Sequence, residues 1–310
     1  MSQTSFGETL MNAAKKVLAG FGLMAAVASA SAATFQTPDG LLNNFGGFDW
    51  SSSSSVLIKS YDITAQNIGS GCAVGAFGPN FTGGCTGTSD VIDVFYNSFA
   101  VAVLQAGGGN FVLPNLVQGT GGAGYEITVR ANFQEKVTCL NYNCSLVSIT
   151  PITGTWGIYL DNTPDAALVS QSGFGDGDQI LGGSFTGGQT VAGPQGFTNP
   201  SSGLTSASVN GTTSYTNNAY ILPNLNGTTV QSTLGFLGGT NGTWTQPTSW
   251  QGSGFGVGGN GLPVGDNTAF IGQADASQSF FFSVPEPTSL ALTGFALLGL
   301  GLSARRRKQA

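Results

Sequence analysis

Apolar and polar residues alternate along several short runs in the middle of this chain. The run from Tyr125 to Phe133 is the clearest, because every second residue in it is apolar. A period of two is typical of a β-strand with one buried face and one face in water. We therefore expect an antiparallel strand with Tyr125, Ile127, Val129 and Ala131 in the core and Glu126, Thr128, Arg130 and Asn132 in water.

Other runs rich in β-branched and aromatic residues predict further strands. Residues 56–63 and 153–160 each have the length of a single strand. Residues 90–105 exceed that length, so we expect a bend or turn at Asn97 and Ser98. No run with the 3.6-residue period of a helix occurs between the two ends of the chain. The fold class indicated is all-β, an antiparallel β-sandwich or β-meander with glycine-rich loops.

A short motif, Asn-Gly-Thr, recurs in the second half of the chain at residues 210–212, 226–228 and 241–243. Asn-Gly favours the two-residue turn of a β-hairpin, because both residues tolerate positive φ. The regular spacing therefore predicts a β-meander with a turn at each motif.

The N-terminal end carries the pattern of an export signal. Two lysines precede an apolar run at residues 17–27, and small residues follow it. This order predicts a helical signal peptide over residues 1–32, cleaved after Ala32 or, as a second choice, after Ala30. Met11 stands where a signal of ordinary length would start, so it competes with the first methionine as the translation start.

The C-terminal end has three parts in a fixed order. A Pro-Glu-Pro element precedes an uncharged stretch, residues 288–304, and a basic cluster follows. As a transmembrane helix the uncharged stretch is about 25 Å long, the short end of what crosses a bilayer core of about 30 Å. Lys and Arg beside such a segment stay on the cytoplasmic side, so the bulk of the chain is expected outside. The two polar parts consist of Pro285, Glu286 and Pro287 and of Arg305, Arg306, Arg307 and Lys308.

These three parts resemble the PEP-CTERM sorting tail of exported bacterial proteins. The resemblance implies that a membrane-embedded cysteine protease, an exosortase, cuts near residues 285–287 and releases the body or transfers it to the cell surface. A plain single-pass membrane anchor is the alternative. We therefore divide the chain into a signal peptide (1–32), an exported β-rich domain (33–284) and a sorting tail (285–310).

The resemblance also implies a setting for the protein. PEP-CTERM proteins accompany exopolysaccharide production and biofilm or floc formation, and the stretches TGTWGIYLDN and GDGDQILGG are similar to flocculation-associated members. Exopolysaccharide is then the expected partner. The expected location is the cell surface or extracellular matrix, reached from a precursor held in the inner membrane.

The charge of the exported domain excludes one class of partner. Residues 33–284 contain thirteen Asp and Glu but only three Lys and Arg, a net charge of −10. Such a domain repels phosphate backbones, so nucleic acid is not an expected partner. Divalent cations, and polyanions bridged by them, are compatible with this charge.

The chain contains no histidine and four cysteines. Without histidine, Ser/His/Asp and Cys/His nucleophilic catalysis are excluded, and no catalytic residue is predicted. In an exported domain we expect two disulfides, Cys72 with Cys85 and Cys139 with Cys144, the second clamping a hairpin over residues 136–150. A four-cysteine zinc site is disfavoured, because its ligands usually come in closer pairs.

Acidic residues around a glycine-rich turn suggest one metal site. Asp176 and Asp178, with Asp161, Asn162 and Asp165 about a dozen residues earlier, offer several oxygen ligands for calcium. The ligand order of an EF-hand is not present, because one ligand position is apolar and no Glu closes the loop. A solvated Asp-Gly turn is the alternative.

Two tryptophans suggest a sugar site. Trp244 and Trp250 have an even offset, which on an unbroken strand would place both rings on one face as a platform for a sugar ring. Pro247 interrupts such a strand. Burial in the core is the alternative interpretation, as it is for Trp50 and Trp156.

The function predicted is that of an exported structural or adhesive protein of the extracellular polysaccharide matrix, without catalysis. A carbohydrate-binding module that recognises exopolysaccharide is the first alternative, based on the two tryptophans. A secreted glycan hydrolase is the less favoured alternative. It would need paired carboxylates, for which we considered Asp90 with Asp93 and Glu126 with Glu135.

Overall fold

The computed structural model describes residues 33–59, 89–120, 122–140, 146–189, 191–194, 205–237, 245, 247–250, 255–256 and 270–281. Every regular element among them is a β-strand, and the strands fall within one compact unit, Ala33–Phe282. They are β1 (Ala33–Thr37), β2 (Gly40–Trp50), β3 (Ser54–Lys59), β4 (Ser89–Gln105), β5 (Glu126–Cys139), β6 (Leu146–Asp161), β7 (Asp178–Gln189), β8 (Val191–Pro194), β9 (Thr205–Thr216), β10 (Ile221–Leu222), β11 (Thr229–Leu237), β12 (Ser249–Trp250), β13 (Phe255–Gly256) and β14 (Phe270–Phe281).

Eight of these strands form a closed antiparallel barrel. The strands follow one another around the barrel in the order β4, β5, β6, β7, β9, β11 and β14, and each is paired with its neighbours in that order. Strand β14 pairs with β2, and β2 pairs with β4, which closes the ring. Strand β3 continues along the barrel in line with β2, because it lies between the same two strands and pairs with both β4 and β14. The all-β prediction is therefore confirmed, with one sheet closing on itself instead of two packed layers.

Two local predictions are wrong. No turn occurs at Asn97 and Ser98, which lie inside the continuous strand β4 and pair with Arg130 and Val129 of β5. The Asn-Gly-Thr motif at residues 210–212 is also part of a strand, β9. Strands that run at a tilt around a barrel are longer than average, which explains both results.

The other two Asn-Gly-Thr motifs have different outcomes. Residues 226–228 lie in the turn before β11, where Gly227 has φ +83°, as a turn glycine should. Residues 241–243 lie outside the described residues. The hairpin predicted over residues 136–150 is confirmed by the pairing of β5 with β6.

Aromatic side chains fill much of the barrel interior. The Phe48 ring lies 5.2 Å from the ring of Phe45 and 5.2 Å from that of Trp50, measured between centroids. Phe280 of β14 is 5.7 Å from Phe45, and Trp156 of β6 is 6.1 Å from Phe280. These rings come from strands on different sides of the barrel, so their burial holds the closed sheet together.

The segment that joins β6 to β7 covers part of the outer face of the barrel. Phe174 in this segment packs on Phe99 of β4, with 4.8 Å between ring centroids. The Thr128 hydroxyl of β5 donates a hydrogen bond of 3.1 Å to the carbonyl of Phe174. Thr128 and Glu126, which we expected in water, are therefore buried. The opposite, inward face of β5 is buried as predicted.

The two ends of the barrel differ. At the end where β5 begins, called here the Glu126 end, Ala33 pairs with Phe45 and Ser279 pairs with Gly47, so the first strand begins and the last strand ends there. The opposite end is the Lys59 end, where β3 and β5 finish. The strand ends found there are Lys59, Ser89, Cys139, Leu146, Pro194, Thr205, Leu237 and Phe270.

Candidate functional site

Three carboxylates meet at the Glu126 end of the barrel and form what we call the acidic cluster: Glu126, Asp161 and Asp165. Glu126 opens β5 and pairs across the sheet with Asp161, which closes β6. One oxygen from each of the three carboxylates lies within 4.8 Å of the others. Adjacent antiparallel strands thus bring together acids that are distant in sequence.

Backbone groups hold the Glu126 carboxylate in place. Its Oε1 accepts hydrogen bonds from the N–H groups of Asp165 and Ala166, both at 3.1 Å. Its Oε2 accepts one from the N–H of Gly119 at 3.2 Å. The side chain is fully buried. Glu126 therefore fastens two loops to the start of β5.

Charge repulsion and burial both raise the pKa values of carboxylates in this cluster. Burial raises the pKa of Glu126, the backbone hydrogen bonds oppose that rise, and the charge of Asp161 adds to it. Desolvation raises the pKa of Asp165, and the charges of Asp176 and Asp161 raise it further. Negative charge is thus concentrated at one edge of the barrel, where a cation would relieve it.

The acidic cluster is the group of described residues that could hold a metal ion. Carboxylate oxygens suit hard cations such as calcium. Some of their capacity is already used, because Glu126 accepts three backbone bonds and Asp161 Oδ1 accepts the N–H of Thr163 at 2.8 Å. Asp165, which is exposed, keeps the most capacity for an incoming ion.

The structure divides the acids that the sequence proposed for calcium. Asp161 and Asp165 lie in the acidic cluster, and exposed Asp176 is near enough to act on Asp165. Asp178 is engaged elsewhere, because its Oδ2 accepts a short hydrogen bond from the Tyr220 hydroxyl. Asn162 is exposed.

Sequence reasoning missed Glu126 as a member of this group. Alternation placed it on the water face of its strand, and nothing local revealed the segment that covers that face. A carboxylate at the first position of a strand, two residues after the glycine-rich stretch 119–124, was the available signal.

The carboxylate pairs considered for a hydrolase do not form a site. Glu126 and Glu135 lie nine positions apart on β5, so about 30 Å separates them. Glycosidase carboxylates stand roughly 5–9.5 Å apart. Asp93 of β4 accepts a hydrogen bond of 3.0 Å from Gln134, so its carboxylate is engaged with a neighbouring strand.

Glu135 has an unusual position of its own. It is fully buried, lies opposite Ile92 and Pro151, and neither carboxylate oxygen has a hydrogen-bond partner in the described part of the chain. Burial raises its pKa to about 8. The group is therefore protonated at neutral pH.

Trp250 is buried and packs with Leu57 and Ile271 on the outer face of the sheet, with Phe95 beside them. Only 4% of its surface is exposed, so its ring offers little area to a sugar. Trp244 lies outside the described residues. The sugar platform therefore stays a prediction, and no described contact favours it.

The cysteine predictions also stay open. Cys139 ends β5 and pairs with Val147 across the hairpin. Cys72, Cys85 and Cys144 lie outside the described residues, as do the signal peptide and the sorting tail, including residues 285–287 and 305–308. Within the described ranges no helix has the length and apolarity needed to cross a membrane.

Comparison with known proteins places this chain in the class of exported proteins with a C-terminal sorting signal. Residues 283–308 match the PEP-CTERM protein-sorting motif, so the chain carries the signal of an exosortase substrate. The tail predicted from its Pro-Glu-Pro element, uncharged stretch and basic cluster is thereby confirmed. No curated protein and no solved structure matches the chain.

Proposed function

We propose that this protein is a structural or adhesive component of the extracellular polysaccharide matrix, active in biofilm or floc formation. The observation that carries this proposal is the order of parts at the C-terminus. The last barrel strand ends at Phe281, and the sorting motif begins at residue 283. Processing near residues 285–287 therefore removes none of the described strands, and the cell surface receives them as one barrel.

A role without catalysis is supported by the state of the buried acids. Glu126 is committed to backbone groups of two loops, and Glu135 lies buried at the other end of the same strand. Both side chains are fully buried. The geometry therefore supports a binding or load-bearing role better than a hydrolase.

The charge of the domain supports contact with the matrix through cations. Thirteen acids against three basic residues in residues 33–284 repel a polyanionic polysaccharide unless divalent ions lie between them. The acidic cluster and Asp176 concentrate such charge at the Glu126 end. Adhesion to an acidic polysaccharide should then need calcium or magnesium, whereas adhesion to a neutral one should not.

Co-sedimentation of the purified exported protein with the exopolysaccharide of its own producer tests this proposal. We expect binding, measured with calcium and with a chelator in parallel. A strain that lacks the gene should form a weaker matrix, and a strain producing the chain without residues 283–310 should resemble it. A matched variant of this truncation replaces only Pro285 and Pro287 by alanine. It keeps the apolar and basic parts of the tail and therefore tests the Pro-Glu-Pro element alone.

The outcomes separate the alternatives. Absence of binding under both conditions, together with a normal matrix in the deletion strain, would end the proposal. Turnover of a glycan that one carboxylate variant abolishes would establish a hydrolase instead. Saturable binding of a defined sugar that is lost in Trp244→Ala would favour a carbohydrate-binding module.

A further inference from the structure

Two glycines face each other across strands β6 and β7 on the outer face of the barrel. Gly157 lies between the core residues Trp156 and Ile158, so alternation places it outside. It pairs with Gly182, which pairs in turn with Tyr215 of β9, so the three lie in one row across the sheet. The space above both glycines is taken by longer side chains from nearby positions.

The Tyr159 side chain lies along β6 over Gly157. A β-carbon added at Gly157 would stand 2.7 Å from the Tyr159 hydroxyl oxygen and 3.0 Å from its Cζ, so the phenol occupies the space of the missing side chain. The ring therefore rests against the sheet and turns its other side outward. Tyr159 is half-buried, as this position requires.

The Gln179 amide lies over Gly182 in a similar way. Its nitrogen is close to where a β-carbon of Gly182 would be, and 3.1 Å from the corresponding position at Gly157. This nitrogen donates a hydrogen bond of 3.3 Å to the carbonyl of Leu181. An amide carries two N–H donors and an oxygen acceptor, so the group has capacity for a further partner.

Tyr215 stands at the β9 end of the row, with 43% of its surface exposed. Two strand spacings, about 10 Å, separate its backbone position from that of Gly157. The rings of Tyr159 and Tyr215 can therefore contact different units of one extended molecule.

A row of hydroxyl side chains runs beside the tyrosines. Thr155 pairs with Ser184, and Ser184 pairs with Thr212. Thr155 is exposed and the other two are half-buried. We call the whole surface the tyrosine face, and it consists of Thr155, Tyr159, Gln179, Ser184, Thr212 and Tyr215.

The chemistry of the tyrosine face suits a neutral sugar polymer. Aromatic rings pack against the C–H face of a sugar ring, and amide and hydroxyl groups exchange hydrogen bonds with sugar hydroxyls. Arg130, which pairs with Gly157 from β5, is an exposed cation beside the face. One cation does not offset the net charge of −10 in residues 33–284, which repels a polyanion. A neutral polysaccharide therefore fits this surface better than an acidic one.

We propose that the tyrosine face binds a neutral polysaccharide of the extracellular matrix, with separate sugar units on Tyr159 and Tyr215 and hydrogen bonds to Gln179 and the hydroxyl row. The inference rests on the proposed function, which supplies the matrix as partner, and adds the place and the class of the sugar. Gly157 and Gly182 are positioning residues, because they allow the ring and the amide to lie against the sheet.

Binding of the exported protein to the exopolysaccharide of its own producer, separated by anion exchange into neutral and acidic fractions, tests the inference. Co-sedimentation in the presence of a chelator keeps calcium bridges out of the measurement. We expect the neutral fraction to bind, and Tyr159→Ala and Tyr215→Ala each to weaken binding roughly tenfold through the loss of one ring contact. Tyr159→Phe and Tyr215→Phe keep the rings, so these matched controls should retain most of the binding.

A second measurement needs no alanine variant. Ring resonances of the protein labelled on tyrosine are assigned by NMR from the two phenylalanine variants. The neutral fraction should shift the signals of Tyr159 and Tyr215. Tyr125, which is 1% exposed, is the internal control and should not shift.

The outcomes distinguish this inference from the function on which it rests. Unshifted signals of Tyr159 and Tyr215 in protein that binds the neutral fraction would overturn the inference and leave the proposed function standing. Alanine variants that lose stability but not binding would do the same, because the rings would then only cover the glycines of the sheet. Binding of the acidic fraction alone, and only with calcium, would also overturn it. Absence of binding to either fraction, with and without calcium, would overturn both.

Discussion

Glu126 Oε1 accepts a hydrogen bond of 3.1 Å from the backbone N–H of Ala166, forty positions further along the chain. This bond connects the first residue of β5 to the segment that covers the outer face of the barrel. It explains why an acid on the expected water face is buried. It also identifies the residue whose replacement should loosen that segment.

Glu126→Gln should destabilise the protein by roughly 1–3 kcal/mol, because the amide nitrogen cannot accept the backbone bonds that the carboxylate accepts. Denaturant unfolding measures the change. Asp176→Asn is the matched control, since Asp176 is an exposed acid of the same segment, and should change stability by less than about 0.5 kcal/mol. Equal effects of the two variants would contradict the role given to Glu126.

Glu135 should make stability depend on pH. Its pKa is about 8 in the folded protein against an ordinary value of 4.5, so the folded state holds a proton that the unfolded state releases. Stability should therefore fall as pH rises from about 4.5 to about 8 and stay low above that range. Glu135→Met should remove this slope and stabilise the protein at pH 8 by a few kcal/mol.

The control for Glu135 is its exposed neighbour. Lys136→Met also removes one charge from β5 but should leave the slope with pH unchanged. Urea midpoints at a series of pH values give the comparison. A Glu135→Met protein whose stability still falls between pH 5 and pH 8 like the parent would show that other groups cause the dependence.

Gly119→Ala should disturb the same region from the backbone side. Gly119 has φ +74°, and an added β-carbon would stand 2.6 Å from the carbonyl oxygen of Ala166. We expect a loss of about 2–4 kcal/mol in thermal or denaturant unfolding. Gly108→Ala shares a positive φ but meets no atom within 4 Å, so it measures the backbone cost alone and should lose only about 1 kcal/mol.

Trp250→Ala should act on stability and not directly on sugar binding. Its ring is packed with Leu57 and Ile271, so truncation should cost about 2–4 kcal/mol. Unfolding midpoints and exopolysaccharide binding are measured on the same preparations. Loss of binding without loss of stability would indicate that Trp250 is part of the predicted sugar platform.

Removal of residues 283–310 should separate sorting from folding. The barrel strands end at Phe281, so the truncated protein should keep the unfolding midpoint of the processed protein. Surface display should disappear, because the exosortase signal is gone. A truncated protein that cannot fold would mean that the barrel depends on its tail.

Local patterns predicted the strands and the tail well. Alternation along residues 125–133 placed the inward face of β5, and the order of parts after residue 284 matched the sorting motif. The same alternation extends through Glu135, so a carboxylate on the core face was visible in the sequence. Its burial was not anticipated, because a carboxylate is almost never fully buried without a partner.

Contacts between residues that are distant in sequence could not be predicted. Closure of the barrel depends on the pairing of β2 with β4 and β14, and no short pattern encodes which strands meet. The cover over Thr128 and Glu126 comes from a segment about forty residues away. The acidic cluster follows from both, which is why the sequence grouped only two of its three members, Asp161 and Asp165, with the other calcium candidates.

The first strand begins and the last strand ends at the Glu126 end of the barrel. If the protein is attached through the chain that follows Phe281, the attachment point is therefore at that end of the barrel. Lys59, Ser89, Leu237 and Phe270, at the ends of four strands, lie at the opposite end. Sequence variation at that end would change what neighbouring cells or polymers meet while the barrel and its export signal stay the same.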